Sequence, residues 1–293
     1  MPTSGKALAV VNQKGGVGKT TTAVNLAANF ALAGRATLLI DLDPQANASS
    51  AFGVVNASPQ VYEVLLGQLS LAQVARATEL ETLHLVASGP DLVGAEIEMV
   101  SIEHRERRLE LALAAARETY EFVVIDCPPS LGLLTLNGLT AADGILIPLQ
   151  CEYYALEGLA RLLETLDRVR SGLNSRVGVE GILLTMVDGR NNLSRQVEGE
   201  VRNHFGDRVY KTRIPRNVRL SEAPSHGRPG ALYDPASSGA RAYAELAGEI
   251  LARVELADPP IAPPVIEAAA AEPVSATAEP SLQTQGVHHG SDA

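Results

Sequence analysis

Uninterrupted apolar runs recur along this chain, and between them the apolar positions fall three and four residues apart. The runs lie at 6–12, 36–41, 83–87, 121–126, 143–149 and 179–186. A strand with one buried face alternates apolar and polar residues, whereas a strand covered on both faces does not. These runs therefore read as parallel strands inside a layered fold. Helical spacing separates them, as in Leu159, Leu162, Leu163, Leu166 and Val169, and a last amphipathic helix carries Tyr243, Leu246, Ala247, Ile250 and Val254. Repeated strand–helix units predict a doubly wound α/β fold. Its mostly parallel sheet is covered by helices on both faces, with ligands at the carboxyl ends of the strands.

One domain is expected over residues 1–255. Beyond it, residues 256–293 are rich in Ala and Pro and lack aromatic residues and positive charge. Such a segment cannot bury enough apolar surface to offset its ordering entropy, so a disordered tail is expected there. His288 and His289, adjacent in that tail, do not suggest a metal site.

With 293 residues, 46% of them hydrophobic, the chain has material for a sizeable core. No apolar run is long enough for a membrane span, and no signal-peptide core precedes the first strand, so a cytoplasmic protein is expected. Cys127 and Cys151 are too few and too oddly spaced for a disulfide framework or a zinc site.

Charge changes the picture only when it is mapped. The net charge is −10, which by itself argues against a nucleic-acid partner. Five of the acids (Asp258, Glu267, Glu272, Glu279, Asp292) lie in the tail, however. Residues 190–228 hold nine basic side chains against Glu198, Glu200, Asp207 and Glu222. A basic segment on an acidic chain is what phosphate-backbone binding requires.

The candidate chemistry begins directly after the first apolar run. Residues 14–20 read Lys-Gly-Gly-Val-Gly-Lys-Thr and open a helical stretch. Glycines let consecutive backbone N–H groups turn inward around an anion, and the helix N-terminus behind them adds partial positive charge. Lys19 can reach the β- and γ-phosphates of a nucleoside triphosphate, and the Thr20 hydroxyl is placed for Mg²⁺. Position 13 is Gln, where the ordinary form of this loop has glycine. A second lysine, Lys14, precedes the glycine pair instead, in a chain whose only other lysines are Lys6, Lys19 and Lys211. The second apolar run ends in Asp41-Leu42-Asp43, whose alternate carboxylates can share one side. The fourth ends in Asp126, followed by Cys127-Pro128-Pro129-Ser130, an apolar strand delivering a carboxylate toward a metal shell.

These segments, in this order, resemble the ParA/Soj partition ATPases of the deviant Walker A class of P-loop NTPases. The resemblance continues through Gln150 to Gly158, Leu184 to Arg190 and Ile214 to Ser225, and it spans residues 6–253. It implies an ATPase that uses ATP and Mg²⁺ and hydrolyses slowly by itself. Gly15, Gly16, Val17, Gly18, Lys19, Thr20 and Thr21 would wrap the phosphates. Thr20 would bind the metal directly, and Asp41 and Asp126 would support it through water. Asp43 would position or activate the attacking water, and Lys14 would reach the partner's nucleotide across an ATP-sandwich homodimer. Pro215 and Asn217 resemble adenine-side contacts. Arg190 and Arg219 match positions that bind double-stranded DNA without sequence preference. The resemblance further implies a ParB-type centromere-binding partner that stimulates hydrolysis, and a nucleoid-associated protein without a membrane partner.

Other classes fit less of the chain. A MinD-like membrane-associated regulator is the alternative reading, but it needs a basic amphipathic C-terminal helix, and this tail has no Lys or Arg. An iron–sulfur reductase with two cysteines per subunit expects different surroundings for them. A nucleotide-gated binding module with negligible turnover is separated from an ATPase by phosphate release with and without DNA and partner. Only about five residues precede the first strand, so an operator-binding N-terminal extension is not expected.

Overall fold

A computed structural model describes residues 5–152, 155–188, 190 and 192–257. Its eight strands are β1 (Lys6–Val10), β2 (Thr37–Asp41), β3 (Arg76–Ala77), β4 (Leu83–Val86), β5 (Phe122–Asp126), β6 (Gly144–Gln150), β7 (Gly178–Val187) and β8 (Val209–Pro215). They form one sheet in the order β3-β4-β2-β5-β1-β6-β7-β8. Every neighbouring pair is parallel except β3 with β4.

The helices are α1 (Lys19–Leu32), α2 (Asn47–Ser50), α3 (Val61–Leu65), α4 (Leu71–Val74), α5 (Leu92–Glu98) and α6 (Arg108–Thr119). They continue as α7 (Leu133–Ala141), α8 (Ala155–Gly172), α9 (Asn192–Phe205), α10 (Val218–Glu222), α11 (Gly230–Tyr233) and α12 (Ser238–Ala257).

The continuous apolar strands serve two cores at once. Ala7, Ala9, Leu38, Ile40, Val123 and Ile125 point into one, with Leu92 of α5, Leu113 of α6, Leu134 of α7 and Leu162 of α8. Leu8, Val10, Leu39 and Val124 point into the other, with Leu26 and Phe30 of α1 and Leu246 and Ile250 of α12. Each fully buried Leu or Phe contributes about 1.5–3 kcal/mol relative to exposure. Phe30 stacks on Phe122 with ring centroids 4.3 Å apart. The Thr22 and Tyr243 hydroxyls lie 3.0 Å apart and join α1 to α12.

The sheet holds two strands that the apolar runs do not mark. β8 is an edge strand in which Lys211 and Arg213 face solvent while Val209, Tyr210 and Ile214 are buried, so its pattern is broken. β3 spans two residues and pairs antiparallel on the far edge, where no long apolar run is needed. The last helix runs to Ala257, two residues past the expected domain end, and the chain clusters as a compact unit to that point. The tail expected at 256–293 thus loses its first two residues to α12, and the rest of it, 258–293, lies outside the described residues. Among the described residues no helix is long and apolar enough to cross a membrane.

β1 sits at the centre, where successive crossovers turn to opposite sides of the sheet. That is the place where a doubly wound sheet opens a crevice at its carboxyl edge.

Candidate active site

The loop leaving β1 is fixed at its shoulders and open in its middle. Asn12 donates from Nδ2 to the Pro148 carbonyl at 2.7 Å, and its Oδ1 accepts the Lys14 N–H at 3.0 Å. The Thr185 hydroxyl, from β7, donates to the Val17 carbonyl at 2.8 Å. Gly16 and Gly18 have φ of 73° and 88°, the left-handed region that side chains avoid. A Cβ added at Gly15 or Gly16 would meet nothing within 4 Å, so the backbone there faces open space. Gly18 then accepts the Thr22 N–H at 2.9 Å and starts α1, whose N-terminal N–H groups point toward the loop.

The two lysines differ sharply. Lys19 is buried, and its Nζ donates to the Lys14 carbonyl at 3.1 Å. Burial lowers its pKa, while Asp126 and Asp43 oppose that shift by favouring the charged form. Lys14 is half-exposed and forms an ion pair with Glu152, just past β6.

Three carboxylates stand beside this loop because of strand register. Asp126 pairs in register with Val10 on one side and with Asp41 on the other, which sets both acids at the foot of the loop. Asp41 is fully buried and accepts from the Ser49 N–H at 2.8 Å, the Ser49 hydroxyl at 2.7 Å and the Asp43 N–H at 3.1 Å. Burial still pushes its pKa up to about 6. A raised carboxylate pKa means that ionisation costs folding free energy. The cost is absent below the ordinary value of 3.8 and complete once pH passes about 6. Ser49→Ala removes the hydroxyl that donates to charged Asp41 and accepts the Ser88 N–H. It should destabilise the protein by about 1–3 kcal/mol at pH 7.5. The loss should shrink toward pH 5 as Asp41 takes up a proton. Thermal unfolding across that range checks it, and a pH-independent loss would mean that Ser49 acts through packing alone.

Asp126 is also fully buried, yet neither of its oxygens has a well-aligned hydrogen-bond donor. Burial, then the nearby Asp41, raises its pKa well above the carboxylate range; the adjacent Thr20 hydroxyl lowers it only in part. An orphaned carboxylate beside a threonine hydroxyl is a site short of a positive group. Asp43 is the carboxylate that lines the open cavity. That cavity, about 350 Å³, is bounded by Gly15, Gly18, Lys19, Thr20, Pro129 and Met186, among others. Its Oδ1 accepts the Gln45 N–H at 3.0 Å, and its own carbonyl accepts the Ser88 hydroxyl at 2.8 Å.

The remaining candidates lie further along the carboxyl edge. Pro215 ends β8 and lines a second cavity of about 380 Å³ with Val187, Ser238 and Arg241. Met186 and Val187, neighbours on β7, line the first and the second cavity respectively. Asn217 caps α10: its Oδ1 accepts the Leu220 N–H at 3.2 Å, and its Nδ2 donates to Ser238 Oγ at 3.0 Å. Arg190 is 92% exposed and pairs with Asp188 at 3.1 Å. Arg219 pairs with Glu222 at 2.9 Å and Asp234 at 3.4 Å.

The basic segment is less positive in space than along the chain. Asp188, Asp234 and Glu79, all outside it in sequence, fold against Arg190, Arg219 and Arg228. Both cysteines are buried, and burial pushes their thiols up, Cys151 to about 11, which leaves them unreactive.

Several residues of the site carry no signal in the sequence taken alone. Asn12, Ser49, Glu152 and Thr185 act as anchors for better-marked neighbours. Met186 lines the cavity with φ of 50°, a left-handed conformation costing about 1–3 kcal/mol for a side-chain-bearing residue.

Comparison with known proteins agrees with this arrangement. Residues 5–179 match a family described as an AAA domain. The chain is 54% identical over 250 residues to the sporulation initiation inhibitor protein Soj of Bacillus subtilis, covering 85% of this chain and 99% of that one. It is 50% identical over 252 residues to the chromosome partitioning protein ParA of Caulobacter vibrioides, covering 85% and 94%. Among solved structures, cobyrinic acid a,c-diamide synthase of Mycobacterium smegmatis, with bound ADP and magnesium, matches with a TM-score of 0.75. It is 37% identical, and the match covers 86% of this chain and 96% of that one. The cell division ATPase MinD of Pyrococcus furiosus, at 24% identity and a TM-score of 0.72, shares the fold. A phosphate loop with its extra lysine, buried acids paired across β2 and β5, and this level of identity place the chain in the Soj/ParA family of chromosome-partitioning ATPases.

Proposed function

We propose that this ATPase is a nucleotide-timed switch for DNA segregation. ATP holds two copies together as a sandwich dimer that grips DNA without sequence preference, and hydrolysis, stimulated by a ParB-type partner, releases it. The observation that carries the reading is the half-exposed Lys14 at the mouth of a phosphate loop whose other lysine is buried. A loop that needed one lysine for its own nucleotide has a second one turned outward.

In the proposed cycle the backbone of Gly15 to Thr21 wraps the triphosphate and Lys19 neutralises its inner charge. The Thr20 hydroxyl would hold Mg²⁺ directly, with Asp126 and Asp41 holding its waters; when bound, the ion neutralises charge on the phosphates. The orphaned oxygens of Asp126 fit that role. Among the described residues no three His, Cys, Asp or Glu side chains form a metal cage of their own, which fits an ion that takes most ligands from nucleotide and water.

Asp43 orients water for attack on the terminal phosphate, and Lys14 leaves Glu152 to stabilise transition-state charge on the second copy's nucleotide. The adenosine end lies toward Pro215 and Asn217. The chain thus works at the nucleoid, free of a membrane. The ATPase domain runs through α12 to Ala257, with the residues beyond it as an appended segment.

Sedimentation with ATP, ADP and DNA tests the cycle: dimer and DNA binding should appear together with ATP and vanish with ADP. DNA binding by an ATP-bound monomer would overturn it. Arg190→Ala with Arg219→Ala should weaken binding to unrelated duplexes alike while leaving ATP-dependent dimerisation intact. Every arginine–phosphate pair that the substitutions abolish should make the salt dependence shallower by roughly one unit of slope, and a dimer presents each arginine twice. Because both arginines are ion-paired in the free protein, part of their DNA energy is spent leaving Asp188, Glu222 and Asp234. A salt series with the double variant checks this; parent-like affinity and slope would make them ordinary surface charges.

A further inference from the structure

Helix α5 buries Leu92, Ala95 and Met99, the last in the 3-10 turn Met99–Ser101 that continues it, and leaves Val93, Ile97 and Val100 outside. Those three are 56%, 74% and 62% exposed. Their spacing of four and then three residues sets them in one row along the helical segment. Single exposed apolar residues are ordinary on a protein surface, whereas a row at helical spacing is what a docking segment reads.

The surroundings select the kind of partner. On α5 and the turn after it stand the acids Asp91, Glu96, Glu98 and Glu103, while Arg105 donates from Nη1 to the Val100 carbonyl at 2.8 Å and is itself paired with Glu106 at 3.1 Å. Asp91, Glu98 and Glu103 are exposed around the row. This excess of acid disfavours DNA and anionic lipid at the row. It favours a protein segment whose own apolar residues are flanked by lysine or arginine.

The row is also attached to the nucleotide cavity. Glu96, on the same helix, accepts the Leu134 N–H at 3.3 Å where α7 begins. A Cβ on Gly132 would collide with the Glu96 carboxylate, so helix and loop are closely apposed. This loop begins at Asp126, and its Pro129 lines the phosphate cavity.

We propose that the Val93–Ile97–Val100 row is the docking surface for a basic amphipathic segment of the protein that stimulates hydrolysis, with Glu96 as the positioning residue linking it to the loop after Asp126. The assignment rests on the partner-stimulated cycle proposed above and specifies where that stimulation enters.

The test is phosphate release by the full-length protein with ATP and DNA, titrated with the ParB-type protein of the same cell. Ile97→Asp should raise the half-maximal partner concentration about tenfold or more. Its unstimulated rate, ATP-dependent sedimentation and melting temperature should match the parent. Leu111→Asp, at an apolar position on α6 that is 60% exposed, should behave as the parent throughout. Glu103→Lys should weaken stimulation at low salt, by roughly threefold, and converge on the parent as salt rises. A parent-like half-maximal concentration for Ile97→Asp overturns the docking surface alone. Loss of the ATP-dependent dimer in that variant overturns it too and assigns the row to a second copy. If the parent is not stimulated at all, the partner-stimulated cycle itself falls, and the row with it.

Discussion

Lys19→Ala should weaken ATP binding at least a hundredfold. Lys19 is buried with its ammonium held by the Lys14 carbonyl, and burial already disfavours its charge. A phosphate chain entering the cavity would supply the negative charge that this ammonium lacks in quantity. Charge-assisted hydrogen bonds in such a site contribute about 1.5–3 kcal/mol each, and about 1.4 kcal/mol is a factor of ten. Removing the group that faces two phosphates therefore exceeds what the backbone N–H groups recover. Without bound nucleotide, the variant should sediment as a monomer with ATP and fail to bind DNA. Calorimetric titration is the direct check, and unaltered affinity would overturn the phosphate-loop assignment whatever happened to the dimer.

Asp43→Ala should separate binding from turnover. ATP affinity should stay within a few-fold of the parent, while hydrolysis falls by about two to three orders of magnitude. Asp43 lines the same cavity as the glycines, and its Oδ1 accepts the Gln45 N–H. Asp41 is held by three donors and lies behind it, and Asp126 lies at the foot of the loop. Of the three acids, Asp43 is the one that lines the open cavity, where an attacking water would stand. With ATP the variant should accumulate as a persistent dimer on DNA. Single-turnover phosphate release would decide the matter. A parent-like rate would make Asp43 a strand-end residue and move its role to Asp41 or Asp126.

Much of this arrangement is legible before any coordinates because its pieces are local. A phosphate loop must offer consecutive N–H groups, so its glycines and lysines are contiguous in sequence. Asp41 and Asp126 end apolar runs, and parallel register then puts strand ends side by side. What is not legible depends on chain segments that meet only in the fold. Ser49 reaches Asp41 because the turn after β2 doubles back into α2. Glu152 meets Lys14 from the end of a different strand. β8 is obscured because an edge strand alternates where the inner strands do not. The basic segment is overstated by counting along the chain, since the acids that offset it come from elsewhere.

The division of alternate strand residues between two cores has a consequence for how many things the molecule can hold. Helix α5 packs through Leu92, Ala95 and Met99 on one side of the sheet, and α10, which carries Arg219, packs through Leu220 on the other. The row on α5 and the Arg219 part of the footprint proposed for DNA therefore lie on opposite faces of the sheet, whereas α9, which follows Arg190, packs through Val197 and Val201 on the α5 side. If both proposals hold, Arg219 and the α5 row would let one molecule act as a two-sided tether, with the chromosome on one flank and a protein on the other. Hydrolysis would then schedule the moment of letting go.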